Sequence, residues 1–463
     1  MVATMSFFTD MLQQIADRGR TLISPRRPSP RSYGELRALA EALLTNRGEV
    51  SGVARAAELL DGFAGASAKD RDEFLRALAL DFGPDEAKVE EAIAAYRAEP
   101  GPHAAMKLHV GAEPRRQELL RKLNRTPGGT LALLRMREET LARLSEDRAL
   151  ADLDADFRHL FSSWFNRGFL GLKRIDWTSP AHVLEKIIRY EAVHKIENFE
   201  ELKSRLAPED RRLYAFFHPA LTEEPLIFVE VALTQAIPGA IAPILDPAHE
   251  IVPEKQATTA VFYSISNCQK GLAGVSFGNF LIKQVVEELR RDLPQLRTFV
   301  TLSPVPGFAQ WLRTETADAE SAFLGPQERA ALAPHFSAQG EPDFEALAAA
   351  LHGDLGETVR TLAATYLVHV RSQRESGLER PRDPVARFHL GNGARLEHVH
   401  AQADMSRKGL AQGAGVMVNY LYDLDAIERN HEAYAERGEV AVSSEVRRLA
   451  KPHKALRELA AGR

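Results

Sequence analysis

The chain has 463 residues, of which 44% are hydrophobic and 27% charged, enough for two or three domains of an ordinary soluble globular protein with a sizeable core. Its formal net charge of −5 offers no basic field for nucleic acid, and its one cysteine, Cys268, excludes an intrachain disulfide or a multi-cysteine metal site. No run of about eighteen apolar residues occurs and no signal-peptide core is present, so no membrane partner is expected and the cytoplasm is the expected setting.

Residues 1–33 read as a short amphipathic segment followed by a linker rich in proline and arginine. Residues 34–170 read as an all-α bundle. Leu36, Leu39, Ala40, Leu43 and Leu44 have helical spacing, as do Phe74, Leu75, Leu78 and Leu80, then Leu119, Leu120 and Leu123, and then Leu131, Leu133, Leu134 and Leu141. The breaks carry helix punctuation: Gly83-Pro84-Asp85, Pro100-Gly101-Pro102 and Thr126-Pro127-Gly128-Gly129. Short connections between amphipathic helices imply a bundle.

From residue 171 to 463 the texture is mixed. Strands are expected at Leu213–His218, Leu226–Leu233, Thr259–Ser266, Thr298–Leu302, Arg395–His400 and Gly415–Tyr422, with helices between several of them. The expected fold is therefore α+β and multidomain: a helical bundle, then a mixed α/β domain. Residues 313–380 read as a polar helical insertion and those after Asp423 as tail helices. The most informative stretch begins at Thr259. A strand enters a turn with Gly271, Gly274 and Gly278, becomes a helix with Phe280, Leu281, Val285 and Leu289 on one face, and returns as a strand ending in Ser303-Pro304-Val305-Pro306. Glycine admits close approach of backbone N–H groups, and a helix start favours anions, so the unit suits a pyrophosphate; a tight turn without a ligand fits the same residues.

Several side chains bear chemistry. Ser303 is held at a strand tip, because proline at 304 fixes φ and donates no N–H; an ordinary turn serine is the plainer reading. His389 closes a short helix before Leu390-Gly391-Asn392-Gly393 and titrates near neutrality; it could also bond the last helix carbonyls. Tyr420 and Tyr422 share a strand face, with Tyr422 better placed to reach a site and Tyr420 for packing. Asn392 and Asn419 are candidate donors with equally good turn and ladder roles. His398 and His400 could imitate a metal pair but read as surface strand residues. Cys268 reads as a small buried side chain.

The ordered motifs resemble malonyl-CoA decarboxylases. They are Phe262-Tyr-Ser-Ile-Ser266 with Gln269, Gly271, Gly274 and Phe280-Leu-Ile-Lys283; Leu302-Ser-Pro-Val-Pro-Gly-Phe308; and Phe388-His-Leu-Gly-Asn-Gly-Ala394 with Met417-Val-Asn-Tyr-Leu-Tyr422. Upstream, Gly168-Phe-Leu170, Glu191-Ala-Val-His194 and Glu224-Pro-Leu226 also fit. The 259–303 unit itself resembles the CoA-binding core of GNAT-type acyltransferases.

The resemblance implies conversion of malonyl-CoA to acetyl-CoA and carbon dioxide through a thioester enolate, without added cofactor. It implies His389 as proton donor, Ser303 as its active-site partner, and Tyr422 beside them. Ala273, Gly274, Val275, Ser276, Phe277, Gly278 and Asn279 match the family's malonyl-CoA-binding segment, with departures at Ser276, where an acidic residue is expected, and at Asn279. A homo-oligomer, dimer or tetramer, assembled through the helical domain is also implied. A GNAT-like acyltransferase and a non-catalytic acyl-CoA sensor are the competing functions.

Overall fold

The computed structural model describes residues 30–45, 48–275, 281–336, 343–372 and 377–450. They fall into two compact units. The first comprises the described residues up to Trp164 together with Lys270–Val275; the second comprises Phe165–Gln269 and the described residues of Ser276–Arg463.

The first unit is helical, and no strand occurs among its described residues. Its helices are α1 (Tyr33–Thr45), α2 (Glu49–Gly65), α3 (Ala68–Leu80), α4 (Glu86–Ala98), α5 (Pro102–Gly111), α6 (Arg115–Asn124), α7 (Gly129–Arg143) and α8 (Ala151–Trp164). They begin where the sequence places punctuation. Ser67 accepts the Asp70 N–H at 3.2 Å to cap α3, and α5 starts on Pro102. Both glycines before α7 are required: Gly128 has φ +76°, and a Cβ on Gly129 would lie 2.1 Å from the Leu123 carbonyl oxygen. The core is the helical stripe read from the sequence, except Leu80, which ends α3 and is exposed: Leu36 and Leu43, Phe74 and Leu78, Leu119 and Leu123, and Leu133 and Leu134, closed by Phe157 and Phe161 of α8.

This core also contains charge. Arg116 pairs with Asp156 and donates to the Ala79 carbonyl at 2.9 Å, while Gln117 donates to the second Asp156 oxygen at 2.5 Å. Such a cluster stabilises only while every member is paired, because an isolated buried charge is strongly disfavoured.

The second unit is built on an eight-stranded sheet. Its strands are β1 (Gly171–Ile175), β2 (Arg211–Phe217), β3 (Ile227–Thr234), β4 (Thr259–Asn267), β5 (Thr298–Thr301), β6 (Ser303–Pro304), β7 (Arg395–His400) and β8 (Met417–Leu421). β1 to β4 pair antiparallel in order, β4 pairs parallel with β5, and β8 pairs antiparallel with β5 and β6 on one side and with β7 on the other. The parallel pair needs a crossover, which α9 (Leu281–Asp292) supplies. Leu281, Val285 and Leu289 are its buried stripe, as the spacing predicts; Phe280 lies outside the described residues. One sheet face packs Val261, Tyr263, Val300, Leu302 and Met417 against Ile241 and Ile244.

Three differences from the sequence reading have physical causes. β1 is an edge strand that was not expected, because Lys173 and Arg174 mask a short run that pairs with β2. The strand expected at Thr298–Leu302 is interrupted at Leu302 and resumes as β6. The segment expected to be a polar insertion is helical, but its helix Leu355–His369 is core: Val359, Leu362, Tyr366 and Leu367 are buried, and a ribbon of Arg371–Ser372 and Arg380–Pro381 follows.

Replacing Arg116 with Met strands a buried carboxylate. The expected result is a loss of about 3–5 kcal/mol in urea unfolding, largely recovered when Asp156→Leu is added. Recovery absent in the double variant means the pair is not the source of the loss.

Candidate active site

The site is built where the parallel ladder stops. Thr259 to Phe262 face Thr298 to Thr301, and the Leu302 N–H donates to the Phe262 carbonyl at 3.0 Å. Past that point β4 runs on to Asn267 paired with β3 alone, and Ser303–Pro304 pairs with β8 alone. Pro304 has no N–H with which to extend the ladder. The freed end of β4 is held by side chains instead. Glu191 accepts from Ser264 Oγ at 2.8 Å, from Ser266 Oγ at 3.1 Å, and from the Val193 and His194 N–H groups at 2.8 and 2.7 Å. The Glu191-Ala-Val-His194 motif, which carries no assigned role in the sequence reading, is thus a strap on the open strand end.

Thr301 and Ser303 are two residues apart and share one face of the interrupted strand. His389 comes to that face from the last turn of α10 (Pro384–Gly391). Asp383 starts this helix by accepting the Ala386 N–H at 2.8 Å, and Gly393, at φ +81°, ends the turn after it; a Cβ there would lie 2.1 Å from the Ile427 carbonyl oxygen.

The side chains form one hydrogen-bonded line. Ser303 Oγ donates to Thr301 Oγ1 at 2.9 Å, and His389 Nε2 lies 3.1 Å from the same Oγ. Ser303 therefore accepts from Nε2–H, which leaves Nδ1 to accept from the Tyr422 hydroxyl at 2.8 Å. This tautomer is assigned from the network, and it satisfies each of these bonds. The Tyr420 ring stacks on the imidazole, centroids 4.6 Å apart and planes 22° apart, and the Tyr420 N–H donates to Thr301 Oγ1 at 3.1 Å. His389, Ser303 and Tyr422 are all buried. Burial pushes His389 down to about 3 and raises Tyr422 well above the usual phenol range, so both are neutral near pH 7.

The imidazole nitrogens thus face Ser303 and Tyr422, not the last carbonyls of their helix. Ser303 bonds side chains, not its own turn. Tyr420, expected to pack in a core, packs directly on His389. Thr301 is not among the residues the sequence singles out; its place two before Ser303 puts it on the same face, and the break after β5 brings it to the site. Asn419 is committed elsewhere: its amide donates to the Thr301 carbonyl at 2.8 Å and its oxygen meets His400 Nε2 at 2.5 Å. The Asn392 amide donates to the Phe388 carbonyl at 2.6 Å. His398 meets Glu445 at 2.7 Å, and among the described residues no group of three His, Cys, Asp or Glu side chains is arranged to hold a metal ion. Cys268 is buried and its thiol is pushed up by burial.

Of the residues expected to hold the substrate, Ala273, Gly274 and Val275 belong to the helical unit, and Val275 alone of the three is buried. Gly274 is exposed and has φ +74°. Ser276, Phe277, Gly278 and Asn279 lie outside the described residues.

The malonyl-CoA decarboxylase C-terminal domain family matches residues 168–460, and the malonyl-CoA decarboxylase N-terminal domain family matches residues 82–165. The mitochondrial malonyl-CoA decarboxylase of Anser anser anser is 35% identical over 424 residues, 85% of this chain and 82% of that protein. That of Mus musculus is 35% identical over 412 residues, 82% of each. Among solved structures, malonyl-CoA decarboxylase from Rhodopseudomonas palustris superposes with a TM-score of 0.84 at 55% identity, over 90% of this chain and 100% of that one. The enzyme from Agrobacterium vitis superposes with a TM-score of 0.81 at 54% identity, over 90% and 99%.

Because the folded pKa of His389 lies below its unfolded value, its contribution to stability is present above about pH 6.5 and is lost as pH falls. Asp383, raised to about 6 by burial, and Glu230, raised to about 8 by burial, change in the opposite sense, so the effect is read as a difference between variants. Relative to wild type, His389→Asn should gain about 2 kcal/mol between about pH 7.5 and about pH 5. Parallel stability–pH curves would place the folded pKa near its ordinary value.

Proposed function

The chain belongs to the malonyl-CoA decarboxylase family, and we propose that it converts malonyl-CoA to acetyl-CoA and carbon dioxide with His389, Ser303 and Tyr422 as its working side chains. The observation that supports this assignment is the hydrogen-bonded line itself: the three residues meet within 3.1 Å of one another, pairwise through the imidazole, at the opened end of a sheet.

The chemistry follows from charge. The bond to the carboxylate breaks with its electron pair moving into the thioester, which becomes an enolate as carbon dioxide leaves. No external electron sink is needed, because the thioester delocalises the charge. In the free protein burial alone keeps His389 neutral. A malonyl carboxylate brought beside it supplies the opposite charge that favours the imidazolium, so a proton enters with the substrate. Nδ1–H then donates to Tyr422 oxygen, the phenol turning from donor to acceptor. When carbon dioxide leaves, the negative charge is on the enolate, and Nε2 delivers its proton to the α-carbon. The imidazole is left neutral with its proton on Nδ1. Tyr422 turns back to donor as Nδ1 releases that proton to solvent and Nε2 takes one up, which restores the resting tautomer, and one proton has been consumed per turnover. Ser303 fixes the Nε2 direction, and its hydroxyl can turn to the carboxylate or enolate oxygen. A covalent acyl-serine has no part, since no acyl group is transferred.

An amine acyltransferase would require an acceptor and a base for it; nothing in the Ser303–His389–Tyr422 line favours that reading. Ala273 to Asn279 are assigned to the CoA moiety. Self-association through the helical unit is supported by Met106 and Val110, which α5 leaves exposed. A role in malonate and fatty acid metabolism, in the cytoplasm, completes the proposal.

His389→Asn should keep CoA affinity and lower kcat by about 10²–10⁴. Ser303→Ala should also lower kcat, and the double variant should lose less than the sum of the two in free energy, because the pair acts as one unit. Carbon dioxide release from malonyl-CoA at near-normal kcat in His389→Asn removes the histidine from the mechanism.

A further inference from the structure

In the helical unit one buried guanidinium holds a loop far away in sequence. Arg137 of α7 is wholly buried. Its Nε pairs with Asp154 at 2.8 Å, Nη1 donates to the Gly271 carbonyl at 2.7 Å, and Nη2 donates to the Ala273 carbonyl at 2.8 Å. The neighbouring Glu138 accepts the Gly271 N–H at 3.3 Å. Gly271 lies directly on α7: a Cβ there would be 2.3 Å from the Leu134 carbonyl oxygen. The loop is therefore fixed at two carbonyls, one N–H and one close backbone contact.

Burying a guanidinium is unfavourable unless its donors are satisfied, and here an ion pair and two charge-assisted bonds satisfy them. The consequence lies on the other side of the peptide planes. In a trans peptide the C=O and the following N–H point in opposite directions. Turning the Ala273 carbonyl into Arg137 therefore turns the Gly274 N–H away from it. Gly274 is exposed, has φ +74°, and carries no side chain; the nearest atom to a Cβ added there would be Arg158 Cδ at 3.7 Å. Arg158 is itself more than half exposed. An outward N–H at a glycine beside an arginine suits a phosphate oxygen.

We infer that Arg137 is a positioning residue for the substrate: it holds the Gly271–Gly274 loop in the conformation that presents Gly274 to the diphosphate of an acyl-CoA. This rests on the proposed assignment of Ala273 to Asn279 to CoA. The helical unit then has a part in substrate affinity beside any part in assembly. A preorganised loop loses less freedom on binding, so the effect belongs in affinity and not in the chemical step.

The test uses the full-length protein, free CoA and malonyl-CoA. Arg137→Lys keeps the charge but cannot reach both carbonyls and Asp154. It should raise the Kd for CoA by calorimetry and the KM for malonyl-CoA by about 5- to 20-fold, with kcat within about twofold. Glu138→Gln, at a partly exposed position, should raise both by about two- to fourfold. Gly274→Val should weaken CoA binding directly, and adding Arg137→Lys to it should cost less than the product of the two effects. If Gly274→Val weakens CoA while folded Arg137→Lys does not, or if Arg137→Lys lowers kcat at unchanged KM, the inference is overturned and the loop assignment stands. If Gly274→Val leaves CoA affinity unchanged, the loop does not meet CoA and both fall. Should Arg137→Lys not fold, Glu138→Gln decides: unchanged CoA affinity there overturns the inference.

Discussion

Phe262 and Thr301 form the last rung of the only parallel ladder among the described strands, and Ser303, two residues beyond it, begins the proposed chemistry. A ladder that continued would tie Ser303 to β4. Instead Pro304 withholds a donor, β6 follows β8, and β4 is left with one neighbour. Backbone freed in this way must be supported by something else. Glu191 ties the β4 end down through that strand's side chains, accepting from two serine hydroxyls of β4 and from two N–H groups of its own loop. The opening is therefore a built feature with dedicated residues on each side of it.

The second consequence is electrostatic. No carboxylate is paired with His389; burial is the whole cause of its shift. This differs from a histidine oriented by an aspartate, where the imidazolium is stabilised before substrate arrives. A neutral imidazole between two hydroxyls has little charge to stabilise until a carboxylate enters. The substrate therefore completes the electrostatics of its own site, and the departure of carbon dioxide moves that charge to the atom that must be protonated. Two other buried carboxyl groups are bonded elsewhere: Glu230, raised to about 8 by burial, accepts from Arg205 at 3.2 Å, and one oxygen of Asp383 accepts the Ala386 N–H at the start of α10.

Much of this was legible in the sequence because it is local. The strands Thr259–Asn267 and Thr298–Thr301 and the helix Leu281–Asp292 have periodicities that survive into the structure, and Pro304 and Pro306 mark the strand end that holds Ser303. His389 sits in the last turn of a short helix, where the sequence reading puts it, before the glycine turn. What was not legible depends on pairing between distant segments. Thr301 matters only because β5 breaks after it, which hydropathy does not encode. Tyr420 was read as packing, and it does pack, but against the imidazole, which only the register of β8 decides. The loop from Lys270 to Val275 looks like part of the mixed domain by position; its bonds to Arg137, 134 residues upstream of Gly271, place it in the helical unit. β1 is an edge strand whose polar residues hide it until β2 is alongside.

The central claim is that burial holds His389 neutral with its proton on Nε2, aimed at Ser303, until substrate brings charge. Nitrogen-15 spectroscopy of histidine-labelled protein, with the His389→Asn variant to assign the signal, reads this directly. The account predicts a neutral imidazole protonated on Nε2 from about pH 5 to about pH 9 in the free protein. An imidazolium pattern near pH 7 without substrate, or a proton resident on Nδ1, would contradict it.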